Sequence, residues 1–450
     1  MNIPPEAYTF DQDRALIAPT ASAYLRNIPS SIGNALRVFN RTLSKIDSIT
    51  AESIARLTDL PRWTYTPTQS TEAADRLARI AALYPIPPEL KTIAPGRILD
   101  ISNDPAFHPA VDSFLGKLPD PPAPVRLGLD SMGRIPLAEI TDPQISLAAL
   151  WTPDVSYNPG LSIKDIMARQ MIDDALSAGR LTGSTTIVEG TSGNTGAGLA
   201  IVAAAHGLRL VLITPSKVSR EKIARLTAMG SHVIITPSAV DPQDPRSYYS
   251  IRDYIAGKRG FWTPMQYDNH SNRNAHETVT GPLIWEQTDG EVTAVIVPAG
   301  TCGTVSGIGR FLKRKSPRIK IIAVDTVGSI LYLLKQGFSI DEVQKFAISY
   351  TIQGFGEDIH PKNLDLSVID RFVRVSDASG LHLTRALPAL GFVQGQSSGA
   401  SYAAILETIA DGYITARDRV VVVFPDTGIP YRHDVFDESW MQSTGFSVIY

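Results

Sequence analysis

The chain has 450 residues, of which 43% are hydrophobic and 19% are charged, and its formal net charge at pH 7 is −3. This composition is typical of a folded globular protein, and the near-neutral charge gives no reason to expect a nucleic acid or an anionic membrane as a partner. The single cysteine, Cys302, excludes an intrachain disulfide and a cysteine-based zinc cluster and fits a reducing compartment.

Residues 1–125 predict a helical N-terminal extension followed by a linker. The segments "IGNALRVFNRTLSKI" and "AADRLARIAALY" place apolar residues three and four positions apart, as amphipathic helices do. Four prolines in "KLPDPPAPVRLG" indicate a domain boundary near residue 125. The first residues lack the basic and apolar regions of a signal peptide, and no apolar run is long enough to cross a bilayer, so we expect a cytoplasmic protein.

Residues 126–450 predict an α/β domain. Short apolar runs such as "TTIVEG", "RLVLITP" and "KIIAVD" alternate with helical segments such as "TGAGLAIVAAAHG", and the turns between them are rich in glycine, proline and serine. This alternation predicts a mostly parallel sheet with helices on both faces. Ligands bind beyond the carboxyl ends of such strands, so a site is expected at the turns that lead from strand to helix.

The turn "YNPGLSIKD" places Lys164 at the start of a predicted helix. Ser162 and Asp165 have the spacing of a capping-box variant. A cation in the first helical turn is disfavoured by the helix dipole, which lowers its pKa and suits a lysine that forms a Schiff base. The alternative is an ordinary lysine in contact with solvent.

The turn "TSGNTG", residues 191–196, follows a predicted strand and opens a helix. Hydroxyl and amide side chains interleaved with glycines form a group of donors that suits a carboxylate. A capping turn needs only one Ser, Thr or Asn, so four such side chains within five positions favour a binding loop over a simple cap.

The turn "GTCGT", residues 300–304, has the features of a phosphate-binding loop. Its small residues allow an anion to approach the backbone, and the free N–H groups of the following helix point at it. It is not a Walker loop, and it lacks the spacing of a dinucleotide-binding turn. The alternative is a tight turn that packs a helix closely. Ser397 and Ser398 precede another apolar helix, where capping is the simplest interpretation.

These turns, in this order, resemble those of the fold-type II pyridoxal-phosphate enzymes, in particular the cysteine synthase and cystathionine β-synthase family. "GQSSGAS" resembles the segment that carries the serine at the pyridine nitrogen of the cofactor, and "IQGFGEDIHP" and "VVVFPDTG" resemble cystathionine β-synthase. The likeness covers roughly residues 134–446. It implies two lobes, each with a mostly parallel twisted sheet flanked by helices, with the smaller lobe roughly at 185–265, and it implies a homodimer.

The resemblance also implies roles for individual residues. Lys164 would hold pyridoxal 5′-phosphate as an aldimine and take the α-proton of the substrate, Asn194 would bind the ring hydroxyl oxygen, and Ser397 would face the pyridine nitrogen. The residues implied to hold the phosphate are Gly300, Thr301, Cys302, Gly303 and Thr304. Those implied to bind the small-molecule amino-acid substrate are Thr191, Ser192, Thr195, Gln266, Tyr267 and Gly354. No metal is expected.

The implied reaction is β-replacement on serine, O-acetylserine or O-phosphoserine through an aminoacrylate. A neutral serine at the pyridine nitrogen makes the cofactor a weaker electron sink than a carboxylate would, which favours loss of a β-substituent over transamination. The nucleophile is an amine or a thiol. One alternative is an amino acid such as aspartate, added through a carbon–nitrogen bond as in aminopolycarboxylate-forming members. The other is sulfide or homocysteine, as in cysteine synthase or cystathionine β-synthase.

Three residues depart from the family pattern. Leu161 and Cys302 stand where the family has glycine, and Glu357 stands where cystathionine β-synthases carry tyrosine. We reject Cys302 as a nucleophile, because it would compete with the lysine chemistry and no histidine is paired with it nearby in sequence. Two other functional classes are considered. The first is an inactive binding scaffold, and the intact Lys164 and Asn194 count against it. The second is a nucleotide-dependent oxidoreductase, but the chain lacks the glycine fingerprint of such enzymes at its first strand–helix turn.

Overall fold

A computed structural model of the protein describes residues 95–446, apart from residues 106, 123, 125–128, 192, 239 and 241–243. Eleven strands in this part of the chain form two sheets, and helices lie between most successive strands. The predicted α/β class with two mostly parallel sheets is therefore confirmed. The two amphipathic segments predicted within residues 1–94 lie outside the described residues.

The smaller sheet has five strands in the order β1-β6-β5-β4-β7, and all of its pairs are parallel. Its strands are β1 (Ile98–Asp100), β4 (Thr186–Gly190), β5 (Arg209–Pro215), β6 (His232–Thr236) and β7 (Phe261–Trp262). Ile187 pairs with Leu210, and Ile213 pairs with Ile234. The three central strands are almost entirely buried and largely apolar, as is typical of parallel strands with helices on both faces.

The larger sheet has six strands in the order β10-β9-β8-β11-β3-β2. Its strands are β2 (Leu137–Glu139), β3 (Ala149–Pro153), β8 (Ala294–Pro298), β9 (Lys320–Thr326), β10 (Arg371–Val375) and β11 (Arg419–Val422). Only the edge strand β2 is antiparallel to its neighbour. In the centre of the sheet, Val295 pairs with Ile321 on one side and with Val421 on the other, and all three are fully buried.

Helices cover these sheets and begin at several of the predicted turns. They are α1 (Phe107–Leu115), α2 (Lys164–Ser177), α3 (Asn194–Ala205), α4 (Arg220–Ala228), α5 (Tyr248–Ala256), α6 (His270–Ala275), α7 (Gly281–Gln287), α8 (Gly303–Lys315), α9 (Leu331–Lys335), α10 (Ile340–Val343), α11 (Asp377–Ala386), α12 (Gln396–Ala410) and α13 (Glu438–Ser443). Helix α3 is apolar on every side after its first turn, because it packs against both α2 and β5.

The smaller sheet includes residues that the sequence places in a purely helical extension. Strand β1 pairs with β6, and α1 follows it and buries Val111 and Phe114 against the apolar residues of β5 and α5. A strand of three residues is too short to show a sequence period, so it escapes prediction. The structure thus adds strand β1 to the smaller sheet and helix α1 to its cover, while the boundary near residue 125 stays a prediction.

Candidate active site

The predicted turns meet at the carboxyl ends of the parallel strands. The turn before α2 lies beside the loop after β11, since the Ile163 N–H donates to the Pro425 carbonyl oxygen at 2.8 Å and Ser162 forms an isolated bridge with Asp426. The loops after β4 and β8 lie at the same ends of their own sheets. The structure therefore places the lysine turn, the "TSGNTG" turn and the "GTCGT" turn where a ligand is expected.

Lys164 is the first residue of α2 and is half-buried. Burial lowers the pKa of its ammonium group, while the nearby Glu357 and Asp426 carboxyl groups act in the opposite direction. The predicted direction of the pKa shift is therefore found, but burial is its largest cause, whereas the prediction rested on the helix dipole. A lysine with a lowered pKa has a larger fraction of neutral, nucleophilic amine at neutral pH.

The turn before Lys164 is held by hydrogen bonds with three side chains, of which those of Asn158 and Asp165 are buried. The Asn158 amide donates to the Ser162 carbonyl oxygen at 2.8 Å, and an Arg225 nitrogen donates to the Gly160 carbonyl oxygen at 2.8 Å. The predicted capping box differs in detail, because the Asp165 carboxylate accepts from the Gly160 N–H at 2.5 Å instead of capping at Ser162. These contacts fix the position from which the lysine side chain leaves the helix.

The "GTCGT" turn forms the N-terminal end of α8 and is buried. Cys302 is its N-cap residue and has left-handed backbone angles, φ 62° and ψ 0°. A Cβ atom on Gly303 would lie 2.0 Å from Asn272 Oδ1, so only glycine fits there. The first N–H groups of an α-helix have no partner within it and attract an anion. The turn is therefore built to hold an anionic group.

Two buried side chains support this turn from α6 and the segment after it. The Asn272 amide donates to Thr301 Oγ1 at 3.0 Å and to the Gln266 carbonyl oxygen at 2.8 Å. His276 Nε2 lies 3.1 Å from Thr304 Oγ1. Burial, and then the charge of Lys164, lowers the pKa of His276 to about 3, so its imidazole is neutral. It orients the Thr304 hydroxyl without adding charge.

Cys302 has the surroundings of a structural residue. Its Sγ lies 3.1 Å from the Gly300 carbonyl oxygen and is buried. Burial raises the pKa of the thiol well above its ordinary value. A reactive cysteine needs the opposite shift, because the thiolate is the nucleophile. The environment therefore agrees with rejecting Cys302 as a nucleophile.

Asn194 is the first residue of α3 and lies half-buried beside the loop after β11. Its amide nitrogen donates to Asp426 Oδ2 at 2.6 Å, and the Tyr431 hydroxyl donates to the same oxygen at 2.5 Å. Burial raises the pKa of Asp426, and the donors Tyr431 and Asn194 partly offset that rise. One N–H of the amide is thus engaged by Asp426, and the same NH2 group carries a second N–H that can donate to a ligand.

The "TSGNTG" turn is tied to the segment after β7. Thr195 Oγ1 donates to Gln266 Oε1 at 2.7 Å, and the Gly193 N–H donates to Thr191 Oγ1 at 3.3 Å. The predicted substrate residues Thr191, Thr195 and Gln266 are all buried. Ser192 lies outside the described residues. The two predicted substrate segments therefore form one connected group of polar side chains.

A third segment, residues 353–358, closes the same region. A Cβ atom on Gly354 would lie 3.5 Å from Ser397 Oγ, and one on Gly300 would lie 3.2 Å from the Gly354 carbonyl oxygen. Ser397 is buried at the start of α12. The structure therefore brings Gly300, Gly354 and Ser397 together.

Glu357 belongs to the same segment. The Tyr267 hydroxyl donates a hydrogen bond that lowers the pKa of Glu357, although burial is the larger influence and raises that pKa.

Several residues of this region were not singled out by sequence reasoning. Asp426 holds Asn194, His276 orients Thr304, and Asn272 contacts Thr301. Glu189, at the end of β4, accepts hydrogen bonds from the Gly190 and Gln266 N–H groups at 2.8 and 3.3 Å. Glu189 and Asp426 share a feature that the sequence shows: each is an acidic residue at or shortly after the end of a predicted apolar strand. This position could have marked them as candidate site residues.

Among the described residues, no helix is both long and apolar enough to cross a membrane. Within the same residues, no group of three or more His, Cys, Asp and Glu side chains is arranged to hold a metal ion.

The chain is similar to known enzymes over most of this region. Residues 129–426 match the family described as pyridoxal-phosphate dependent enzyme. The chain is 39% identical over 291 residues to cystathionine beta-synthase of Apis mellifera, which covers 64% of this chain and 56% of that protein. The chain thus spans little more than half the length of that relative.

Two solved structures share the fold. O-acetylserine dependent cystathionine beta-synthase from Helicobacter pylori superposes with a TM-score of 0.60 at 30% identity, covering 69% of this chain and 98% of that one. O-ureido-L-serine synthase gives a TM-score of 0.62 at 28% identity, covering 71% and 100%.

Proposed function

Because the chain belongs to the family of pyridoxal-phosphate-dependent enzymes, we propose that it replaces the β-substituent of an activated L-serine with an amine or thiol nucleophile. The observation that carries the proposal is the surroundings of Lys164. The pKa of its ammonium group is lowered. The side chain lies within electrostatic range of Cys302, which belongs to the anion-binding turn, and of Asp426, which accepts a hydrogen bond from Asn194.

The residues present fit the cofactor. Only glycine fits at position 303, because a Cβ atom there would collide with Asn272, and the N–H groups at the start of α8 are donors that suit a phosphate. Residues 300–304 would hold the phosphate, and Lys164 would bind the aldehyde carbon of the cofactor. Asn194 would hydrogen-bond to the ring hydroxyl oxygen, and Ser397 would face the pyridine nitrogen. When bound, pyridoxal phosphate supplies a conjugated ring that withdraws electrons from the α-carbon of the substrate.

Lys164 is proposed to move the proton at the substrate α-carbon. A lowered pKa increases the fraction of neutral Nζ, which can accept that proton and later return it. Thr191 and Thr195, with the backbone of their turn, would orient the substrate carboxylate. The Ser397 hydroxyl would not protonate the pyridine nitrogen, which favours departure of acetate or phosphate from the β-carbon over transamination.

The names of the relatives support more than one nucleophile. One structural relative is named as a cystathionine beta-synthase that depends on O-acetylserine, whereas the other is named for making O-ureido-L-serine, whose β-substituent is attached through oxygen. Addition of an amine, for example that of aspartate, is our first candidate for this chain, and sulfide or homocysteine is the second. We further propose that the enzyme is a cytoplasmic homodimer.

An absorption experiment tests the proposed function. The full chain, loaded with pyridoxal phosphate, should show a visible band that shifts on addition of O-phospho-L-serine or O-acetyl-L-serine. Sulfide, homocysteine or aspartate should then reverse the shift and identify the nucleophile. Lys164→Ala should abolish the response, whereas Lys217→Ala, which removes an exposed lysine, should keep it. A wild-type protein that binds no cofactor would instead favour the inactive scaffold.

A further inference from the structure

Glu357 is a carboxylate of the candidate active site that none of the predicted roles uses. It lies in the segment 353–358, and its backbone is fixed from both sides. The Glu357 N–H donates to Ser329 Oγ at 2.9 Å, and its carbonyl oxygen accepts from the Ile330 N–H at 2.9 Å. The preceding Gly356 N–H donates to the Ala299 carbonyl oxygen at 2.7 Å, which ties the segment to the end of β8.

The Glu357 side chain points to the anion-binding turn. A Cβ atom placed on Gly300 would lie 3.7 Å from Glu357 Oε1. The carboxylate also lies close enough to Lys164 for each group to shift the pKa of the other. The Tyr267 hydroxyl donates a hydrogen bond to the same carboxylate. Glu357 thus lies within electrostatic range of the lysine that is proposed to move the α-proton.

Charged and titratable groups from several elements face this carboxylate. Burial is the largest cause of its shifted pKa, which rises to about 8, and Asp358 and Asp325 raise it further while Tyr267 and Lys164 lower it. The other groups that sense its charge are Tyr248 and Tyr249 on α5, Tyr350, and the Cys302 thiol. A carboxyl group with this pKa exchanges its proton near neutral pH.

We propose that Glu357 accepts a proton from the ammonium group of a nitrogen nucleophile, so that the second substrate of this enzyme is an amine. This inference rests on the proposed function. Once ionised, a carboxylate within electrostatic range of Lys164 repels hydrosulfide and thiolate anions and attracts an ammonium group. A general base near the attacking atom is what an ammonium nucleophile requires, because the protonated nitrogen has no lone pair to donate.

The step balances in protons and electrons. The leaving group first departs from the β-carbon with the electron pair of the carbon–oxygen bond. The ammonium group gives one proton to the Glu357 carboxylate, and the freed lone pair forms the carbon–nitrogen bond to the β-carbon. The α-carbon takes its proton from the Lys164 ammonium. The product nitrogen is then a secondary ammonium, and Glu357 releases its proton to solvent.

The test compares the cofactor-loaded wild type with Glu357→Gln, using aspartate and sulfide as nucleophiles. Wild-type turnover with aspartate should rise with pH through about 8, because the carboxylate must be ionised to accept a proton. Glu357→Gln should lower turnover with aspartate by about 100-fold and remove that rise. The absorption change with O-phosphoserine or O-acetylserine alone should persist, and turnover with sulfide should not fall, because the variant removes the charge that repels hydrosulfide.

Two further variants separate chemistry from folding. Glu357→Asp keeps a carboxylate and should recover part of the turnover with aspartate. Asp358→Asn should keep wild-type turnover but move the pH midpoint lower, because Asp358 raises the pKa of Glu357.

Two outcomes would overturn the inference while leaving the proposed function intact. One is a wild-type enzyme that responds to the activated serine but accepts sulfide and no amine, and the other is an equal loss with both nucleophiles in Glu357→Gln. A wild type that gives no absorption change with either activated serine would instead overturn the proposed function itself.

Discussion

The amide nitrogen of Asn194 lies 2.6 Å from Asp426 Oδ2, although the two residues are 232 positions apart in the chain. This hydrogen bond joins the start of α3, which covers the smaller sheet, to the loop after β11 in the larger sheet. It uses one of the two N–H donors of the amide and thereby sets the direction of the other. The orientation of Asn194 is therefore a property of two distant segments.

We expect Asp426→Asn to weaken cofactor binding. The variant replaces a charge-assisted hydrogen bond, which contributes about 1.5–3 kcal/mol, so the dissociation constant of pyridoxal phosphate should rise by about 10- to 100-fold. Titration of the cofactor-free protein followed by absorption measures it. Tyr431→Phe removes the other donor to the same oxygen and leaves Asn194 paired, so its effect should be smaller. Equal effects of the two variants would contradict this account.

A second prediction concerns the anion-binding turn. Gly303→Ala places a Cβ atom 2.0 Å from Asn272 Oδ1, so the turn must shift and its N–H groups lose their alignment. The purified variant should retain less than about a tenth of the cofactor after dialysis, since a single aligned charge-assisted hydrogen bond is worth about 1.5–3 kcal/mol. Gly183→Ala is the matched control, because a Cβ atom there meets nothing within 4 Å. Retention of cofactor by both variants would refute the prediction.

The third prediction uses the strained backbone at Leu161, which has φ 56°. A residue with a Cβ atom pays about 1–2 kcal/mol in this region, while glycine costs about 0.5–1 kcal/mol in chain entropy. Leu161→Gly should therefore raise the stability of the cofactor-free protein by about 0.5–1 kcal/mol. Leu161→Ala keeps the Cβ atom and should not. Urea denaturation of both variants distinguishes strain from the loss of the side chain.

The fourth prediction concerns pH and the buried Glu189. Burial raises its pKa from 4.5 to about 7, despite the opposing charge of Arg252. The folded state therefore keeps a proton that the unfolded chain loses between these values, so stability falls as the pH rises from about 4.5 to 7. The shift corresponds to about 3 kcal/mol at most. Glu189→Gln should flatten this part of the stability curve, and parallel curves for the two proteins would disprove it.

The central strands could be predicted because burial on both faces makes them continuous apolar runs. The run "RLVLITP" coincides with β5, and "KIIAVD" lies within β9. Strands β1 and β7, with three and two residues, escaped because no period can appear over so few positions. Their pairing depends on partners elsewhere in the fold.

The site was predictable where glycines and hydroxyl groups cluster within one turn, as at residues 191–196 and 300–304. It was not predictable where function depends on contacts between distant segments. The sequence places Asp426 after a strand but does not show that it meets Asn194. It also places Lys164 at a helix start, but burial, which is the main cause of its lowered pKa, follows from the packing of several segments around it.

The pairing of β1 with β6 decides where this chain can be shortened. A version that begins at the predicted boundary near residue 125 would lack β1 and α1. The backbone of Val233 and Ile234 would then lie on an unprotected edge, and the apolar face covered by Val111 and Phe114 would be open to water. Such edges recruit strands from other molecules, so this version would precipitate, whereas one that begins at residue 95 keeps the edge covered.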